Sequence, residues 1–254
     1  MPVAVDAIAE ELHSARRERS AVIPLTERLP ELDLPAAYQV QAAGIRLRQH
    51  DGETIVGGKL GFTSRAMQQA MGVDQPNSGW LTDAMLVHDG RVKLDTLIHP
   101  KVEPEIAFLL DRPLAAPVTA ADVQAATRAV APCLEVVDSR FVDFRFAAQD
   151  NIADNSSAGA LVLGNPVVLT PELDLTLVGC AVWVDGDLHA TATGAAALEH
   201  PAAAVAWMAN HAAQPLEAGH LVISGGLTGP VDLKPGRVVR ADLDRIGSVE
   251  LRAA

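Results

Sequence analysis

Residues 99–110, with the sequence HPKVEPEIAFLL, are the stretch that decides the fold of this chain. Their apolar part is short, rich in β-branched and aromatic residues, and followed by DRP at 111–113, which predicts a β-strand. Side chains two positions apart in a strand point to the same face, so we expect Glu103 and Glu105 to converge on one point. Pro104 has no N–H to donate, which predicts that this part of the strand lies at a sheet edge or a bulge.

A third acid, Glu135, belongs with this pair. It lies in the middle of another short apolar run, residues 132–138 with the sequence PCLEVVD, where a carboxylate is costly unless it is paired or bound to a metal. Thr119 and Asp122 form a capping-box pattern before an alanine-rich helix that we expect to reach Val130. Because consecutive elements are commonly neighbours in space, this order predicts that the three glutamates meet.

Three carboxylates without interleaved cysteine or histidine suit a hard divalent cation, Mg²⁺ or Mn²⁺, with water or ligand oxygens completing an octahedron. The alternative is that all three are solvated acids on a strand face. These two segments alone leave both interpretations open.

The composition narrows the class of protein. The 254 residues are 49% hydrophobic, enough for a sizeable core, and the net charge is −12 without a basic cluster, so nucleic acid and anionic membranes are poor partners. No apolar stretch approaches the roughly 20 residues of a membrane span. The N-terminus lacks the basic region of a signal peptide, and the two cysteines lie in apolar runs. We therefore expect a cytoplasmic protein without disulfides.

The chain is expected to consist of a helical N-terminal part, residues 1–55, and a strand-dominated domain, residues 56–254. Apolar spacing predicts an amphipathic helix over 4–20, and a second helix over 34–49 with Asp33 as its N-cap.

Two further segments are candidates for function. Residues 54–62, with the sequence TIVGGKLGF, form a predicted strand in which glycines flank Lys59, as where backbone approaches a ligand closely. The alternative for Lys59 is a solvent-facing strand lysine. Residues 149–159, with the sequence QDNIADNSSAG, form a dense polar loop that is either a functional loop or an ordinary connector.

Several motifs in order resemble one family. The segments are GKLGFTS at 58–64, GVDQP at 72–76, KVEPEI at 101–106, LEVVDSR at 134–140 and ADNSS at 153–157. Together they resemble the 2-oxopent-4-enoate hydratase/4-oxalocrotonate decarboxylase family of the fumarylacetoacetate hydrolase superfamily. The resemblance implies an α+β fold, a mixed β-roll of the fumarylacetoacetate hydrolase C-terminal type with peripheral helices. It also implies a divalent metal on Glu103, Glu105 and Glu135 and an active-site lysine at Lys59.

The resemblance covers two activities in the meta-cleavage catabolism of aromatic compounds. One is decarboxylation of 2-oxohex-3-enedioate to 2-hydroxypenta-2,4-dienoate, and the other is hydration of that product to 4-hydroxy-2-oxopentanoate. Asn77 stands where hydratases usually carry an aspartate, and HPK at 99–101 and GGLT at 225–228 resemble the decarboxylase pattern. Residues 81–85 and 132–133 look hydratase-like. We expect decarboxylation of this 2-oxo dicarboxylate, with hydration as the alternative.

Substrate contacts are expected from Asn77, Lys101, Asp154, Asn155 and Ser157. Lys101 faces the same way as Glu103, so it either holds a substrate carboxylate or pairs with that glutamate. Asp138 and Arg140 are expected to form a supporting pair. We also expect the protein to assemble as a homo-oligomer and to form a complex with the companion hydratase or decarboxylase of the pathway. Two other classes stay open, an acylpyruvate-type hydrolase with His99 as its base, and an inactive partner subunit.

Overall fold

The computed structural model describes residues 3–254 and contains helices at both the N-terminal end and the periphery of the sheets. The described residues form seven α-helices, α1 to α7 in order: Val5–Glu18, Leu25–Arg28, Leu34–His50, Arg65–Met71, Ala120–Ala126, Ala148–Ala153 and Pro201–His211. Side chains of Asp33, Ser64 and Thr119 accept backbone N–H groups at the starts of α3, α4 and α5. These caps explain why α3 and α5 begin where the sequence predicts.

Fourteen strands within the described residues form two mixed sheets. In order, β1 to β14 are Ile55–Gly61, Asn77–Thr82, Leu86–Val87, Arg91–Val92, Lys101–Leu110, Thr127–Val137, Ala158–Leu163, Val167–Val168, Gly179–Val184, Asp187–Thr193, Leu221–Ile223, Val231–Asp232, Val238–Leu243 and Gly247–Ala253. The nine-stranded sheet runs β2-β1-β11-β5-β6-β7-β3, with β12 beside β5 and β8 beside β6; the five-stranded sheet runs β10-β9-β13-β14-β4. Both combine parallel and antiparallel pairs.

The main hydrophobic core joins the two sheets to helix α7. Ile106 and Phe108 of β5, Val182 of β9 and Met208 of α7 belong to one buried cluster. Full burial of such side chains contributes about 1.5–3 kcal/mol each. β5 is therefore anchored over most of its length, and the acids at its start are held on a rigid strand.

A second cluster joins the N-terminal helices to the rest of the chain. Ile8 and Val40 of α1 and α3 share it with Phe141 and Ile152. Helix α6, which contains Ile152, is thereby held against the N-terminal helices. The division of the chain at residue 55 stays a prediction. None of the helices between residues 3 and 254 combines the length and apolar character that a membrane crossing requires.

Two expectations about the strands and helices were wrong. Helix α5 ends at Ala126 instead of Val130, because β6 begins at Thr127 and pairs along its length with β5. β5 is an interior strand rather than an edge. The carbonyl of Pro104 accepts the Leu227 N–H at 2.9 Å, and a residue's N and O face the same side of an antiparallel strand. The proline nitrogen therefore faces the gap between β11 and β12, where no ladder partner needs its N–H.

Candidate metal centre and active-site cavity

Three glutamates meet at the start of β5. Glu103 lies directly opposite Glu135 of β6, and Glu105 lies opposite Cys133 in the same ladder. One carboxylate oxygen from each of Glu103, Glu105 and Glu135 lies within 4.8 Å of the other two. Same-face spacing on β5 and the antiparallel register with β6 together produce this cluster.

The carboxylate oxygens of this cluster have few protein donors. Glu105 and Glu135 are completely buried, yet Oε1 of each has no hydrogen-bond partner, and Oε2 of Glu135 is approached only by the Lys59 ammonium group at 3.2 Å. The other oxygen of Glu105 accepts the Gly225 N–H at 2.7 Å. Buried carboxylates without donors are strongly disfavoured, and an all-oxygen donor set is what Mg²⁺ and Mn²⁺ prefer. The three residues therefore fit a divalent metal.

Burial changes the titration of all three acids. It raises the pKa of Glu103 to about 7, with the charge of Glu135 adding to the effect. Burial also raises the pKa of Glu105, again with a contribution from Glu135, and that of Glu135, which the nearby Lys59 partly offsets. The cluster thus has too little positive charge near it to keep three carboxylates ionised without a cation.

Lys59 reaches the same point from β1, which β11 separates from β5. Its side chain is 3% exposed, so the solvent-facing alternative is excluded. Nζ lies 3.2 Å from Oε2 of Glu135 and donates to the Ser156 carbonyl at 2.8 Å. This places one ammonium group beside the carboxylates, with its position fixed by a backbone oxygen.

The carbonyl that holds Lys59 belongs to an unusual turn. Asn155, Ser156 and Ser157 all adopt left-handed backbone conformations, with φ of 51°, 52° and 57°, which cost about 1–2 kcal/mol per residue. The Asn155 side chain secures the turn by accepting the Trp80 N–H and donating to the Trp80 carbonyl, both at 2.8 Å. A Cβ on Gly79 would lie 2.6 Å from the Asn155 carbonyl, so only glycine allows this approach.

A cavity of about 550 Å³ opens above the cluster and is called the catalytic cavity below. Its walls are mainly apolar and include Met67 and Met71 of α4, Phe144 and Phe146. Within residues 3–254, the ionisable side chains that line it are Lys59, Lys101 and Glu103. A ligand in this cavity would meet two cations, one acid of the triad and hydrophobic walls.

Lys101 lies on the cavity wall. Its Nζ is 3.4 Å from Oδ1 of Asp232, the residue opposite it in the β12 ladder, and 4.8 Å from the ring centre of Phe144. The ion-pair partner of Lys101 is therefore Asp232 and not Glu103, although the Lys101 charge partly offsets the raised pKa of Glu103. An anionic ligand in the cavity would compete with Asp232 for this ammonium group.

Asn77 lies behind the cavity wall instead of on it. It is 2% exposed; its Nδ2 donates to Oδ1 of Asn151 at 2.7 Å, and its Oδ1 accepts from Ser156 Oγ at 2.9 Å. Asn151 in turn donates to Ser157 Oγ at 2.9 Å. Asn151, Ser156 and Ser157 line the cavity, so Asn77 holds three wall residues in place. Asn151 was missed because a helical asparagine in a polar segment has no distinguishing pattern.

Two further predicted substrate contacts do not line the cavity. Asp154 is buried and its carboxylate pairs with the Arg140 guanidinium, while the Asn155 side chain is occupied by Trp80. The predicted Asp138–Arg140 pair is made through the backbone, because Arg140 donates to the Asp138 carbonyl while the Asp138 carboxylate accepts the N–H groups of residues 98 and 99. Asp138, Asp154 and Asn155 therefore stabilise the structure around the catalytic cavity without lining it.

His99 is placed away from the acids. Its Nε2 lies 2.8 Å from the Ser139 carbonyl, its ring contacts Phe144, and it does not line the catalytic cavity. This geometry offers no support for a hydrolytic base at His99.

The sheets, the buried acids and the cavity belong to a known class. The family model described as "Fumarylacetoacetate (FAA) hydrolase C-terminal" matches residues 58–253, which contain Lys59 and all three glutamates. The chain belongs to this family, and the resemblance in its motifs is confirmed.

Individual relatives narrow the comparison to two kinds of lyase. The chain is 43% identical over 209 residues to a 2-hydroxypent-2,4-dienoate hydratase of Pseudomonas putida, with 81% of this chain and 94% of the relative covered. It is 36% identical over 252 residues to a 4-oxalocrotonate decarboxylase of Pseudomonas sp. strain CF600, with 97% and 95% covered.

A solved structure is similar over the whole chain. The 4-oxalocrotonate decarboxylase from Pseudomonas putida G7, complexed with magnesium and adipate, superimposes with a TM-score of 0.95 at 35% identity, covering 100% of this chain and 98% of that one. This likeness confirms the predicted fold class, including the N-terminal helices.

Proposed function

We propose that the protein is a metal-dependent lyase that decarboxylates 2-oxohex-3-enedioate to 2-hydroxypenta-2,4-dienoate in the meta-cleavage catabolism of aromatic compounds. The observation that carries this proposal is the charge of the catalytic cavity: beyond the triad, its lining offers two ammonium groups and no acid or imidazole in residues 3–254. Such a lining suits a dianion, and it lacks a carboxylate base for activating water at the distal carbon.

Glu103, Glu105 and Glu135 would hold Mg²⁺ or Mn²⁺. When bound, the metal supplies Lewis-acid stabilisation of negative charge on the 2-oxo end of the substrate. The magnesium complex of the related decarboxylase supports this choice of ion.

The reaction breaks the bond between C5 and C6 of the substrate. CO₂ leaves, the bonding electron pair moves from C5 through the alkene to the C2 oxygen, and a proton on that oxygen completes the dienol. Lys59 is suited to both charge stabilisation and proton delivery, because its ammonium group is buried and positioned by the Ser156 carbonyl. A fixed charge in a water-poor site stabilises developing negative charge more than it would in water.

Lys101 is proposed to bind the second carboxylate before it leaves as CO₂. Its ammonium group lies on the wall and is paired only with the partly exposed Asp232. A carboxylate near the ring of Phe144 would therefore meet a cation already held in place by that ring.

Hydration of 2-hydroxypenta-2,4-dienoate is the second candidate, favoured by the 43% identity to a hydratase. It would require Lys59, or water held by the wall residues, to provide both proton transfers.

We also propose that the enzyme is cytoplasmic, forms a homo-oligomer and associates with its companion pathway enzyme.

One assay separates the two candidates. The Mg²⁺-loaded protein is offered each substrate separately, with CO₂ release and water addition followed by NMR. We expect CO₂ release from the diacid to be the faster reaction. Faster hydration of the dienoate would assign the protein to the other branch, and absence of both reactions would revive the inactive-subunit interpretation. Magnesium-free protein is the control.

A further inference from the structure

A second cavity, of about 580 Å³, lies beside the catalytic one. Its lining includes six basic side chains and is called the arginine cavity below: Arg16, Arg48, His88, Arg91, Lys93 and Arg140. We propose that the arginine cavity binds a small anion that carries a carboxylate or phosphate group.

The inner end of the arginine cavity contains three guanidinium groups and one donor without a partner. Arg48 Nε lies 2.7 Å from Glu53, and Arg16 Nη1 reaches the same carboxylate at 3.6 Å. Arg16 Nη2 also lies 3.9 Å from Asp51, and Arg140 is paired with Asp154. Arg16 Nε is buried without a hydrogen-bond partner. Each guanidinium group thus has a carboxylate nearby, but one buried donor is left over.

The outer part of the cavity carries cations without partners. The side chains of Arg91 and Lys93 are exposed, and neither forms an ion pair with any residue in the range 3–254. Asp89 and Asp138 also line the cavity, but the first accepts the Arg91 N–H and the second accepts the N–H groups of residues 98 and 99. The carboxylates of Asp89 and Asp138 are therefore occupied by backbone N–H groups.

The basic side chains of the arginine cavity are concentrated in a chain whose net charge is −12. Burial, with the neighbouring Arg16 charge adding to the effect, lowers the pKa of Arg48 to about 10. Burial likewise lowers the pKa of Arg16. Both effects are what a bound anion would relieve.

The size and depth of the cavity favour a small ligand over a protein surface. Arg48 and Arg140 are 8% and 5% exposed, so they lie below the level that a flat surface contacts. The cavity is large enough for a phosphate or a short dicarboxylate, and guanidinium groups bind both geometries in bidentate fashion.

Calorimetric titration of the Mg²⁺-loaded protein tests the proposal. The probes are inorganic phosphate and succinate, each at constant ionic strength. We expect at least one to bind with a Kd below ~1 mM, equivalent to about −4.1 kcal/mol. The double variant Arg91→Ala/Lys93→Ala should weaken binding at least tenfold, whereas Arg128→Ala/Lys234→Ala, which removes the same charge from exposed positions, should not. Arg16→Gln should also weaken binding.

The outcomes are decisive in either direction. Binding of phosphate alone identifies a phosphate-type ligand, and binding of succinate alone a carboxylate-type ligand; both support the proposal. It is overturned if neither probe binds at 10 mM, roughly tenfold above the expected constant, or if both double variants lose affinity equally. A change in oligomeric state of Arg91→Ala/Lys93→Ala, without probe binding to the wild type, would make this face a contact between copies and would also overturn it.

Discussion

The catalytic cavity and the arginine cavity are of nearly equal volume, about 550 and 580 Å³, and they flank the same end of β6. Val137 lines the first and Asp138 the second. One is built over buried carboxylates and the other over buried guanidinium groups. The buried charges beneath the two cavities therefore have opposite signs.

The buried charges are satisfied in different ways. Oε1 of Glu105 and Oε1 of Glu135 have no donor, whereas the Arg140 guanidinium meets the Asp154 carboxylate and three backbone carbonyls. An unsatisfied buried charge is costly, while a fully bonded one stabilises the local structure. The difference indicates that the acid cluster is suited to bind a cation, and that the inner arginines mainly support the local structure.

Glu105→Gln should have the largest effect. Loss of one ligand is expected to lower turnover by ~10³-fold or more, because Lewis-acid stabilisation is worth several kcal/mol and each 1.36 kcal/mol is tenfold. Thermal unfolding supplies a second measurement: Mg²⁺ should raise the Tm of the wild type but not of the variant. Without Mg²⁺ the variant should be at least as stable as the wild type, since it removes an unpaired buried charge.

Glu250→Gln, on an exposed strand position, is the matched control and should behave like the wild type. Equal stabilisation of Glu105→Gln and wild type by Mg²⁺ would show that Glu105 is not a ligand.

Lys59→Met is expected to lower turnover by ~10²-fold, the usual contribution of an acid–base group. Metal affinity should not weaken, because Nζ lies 3.2 Å from Glu135 Oε2 and its charge competes with the cation for that oxygen. Turnover and Mg²⁺ titration of the variant, with exposed Lys234→Met as the control, check both statements. An unchanged rate would remove Lys59 from the mechanism.

Local patterns predicted much of the fold. Capping residues placed the starts of α3 and α5, because a cap satisfies N–H groups in its own segment. The end of α5 and the interior position of β5 depended on pairing with distant strands, which no local pattern contains. The position of Pro104 was predicted wrongly, because an interior strand can contain a proline where β11 and β12 leave a gap beside it.

The site was predictable where strand geometry determined it. Alternation aligned Glu103 with Glu105, and the cost of a buried acid pointed to Glu135. Loop residues were harder: the left-handed turn at 155–157 directs Asn155 to Trp80 instead of the cavity. The arginine cavity was not predicted, because Arg16, Arg48 and Arg140 come from distant segments and the sequence shows no basic cluster.

Asn77→Asp should have a moderate effect on the catalytic cavity. The new carboxylate oxygen would face Oδ1 of Asn151, which now accepts from Asn77 Nδ2 at 2.7 Å, and a lost buried hydrogen bond costs about 1–3 kcal/mol. The wall would shift, so kcat/KM for the diacid should fall roughly tenfold, mainly through a higher KM. Steady-state kinetics measure this, with Asn210→Asp as the control, because Asn210 lies on α7, bonds to Val118 and does not line the catalytic cavity. Unchanged kinetics would show that the wall tolerates the substitution.

Lys101→Met is expected to have the smallest effect and tests whether the catalytic cavity, like the arginine cavity, uses a wall cation for anion binding. Lys101 is 31% exposed and shares its charge with Asp232, so its contribution should be about 1 kcal/mol. That corresponds to a roughly fivefold rise in KM for the diacid, with kcat unchanged because the contact precedes bond breaking. Asp232→Asn should lower KM, since it frees the ammonium group, and Lys93→Met in the arginine cavity should leave KM unaltered. If Lys101→Met raised KM equally for a substrate without the second carboxylate, Lys101 would be a general wall residue and not the partner of that group.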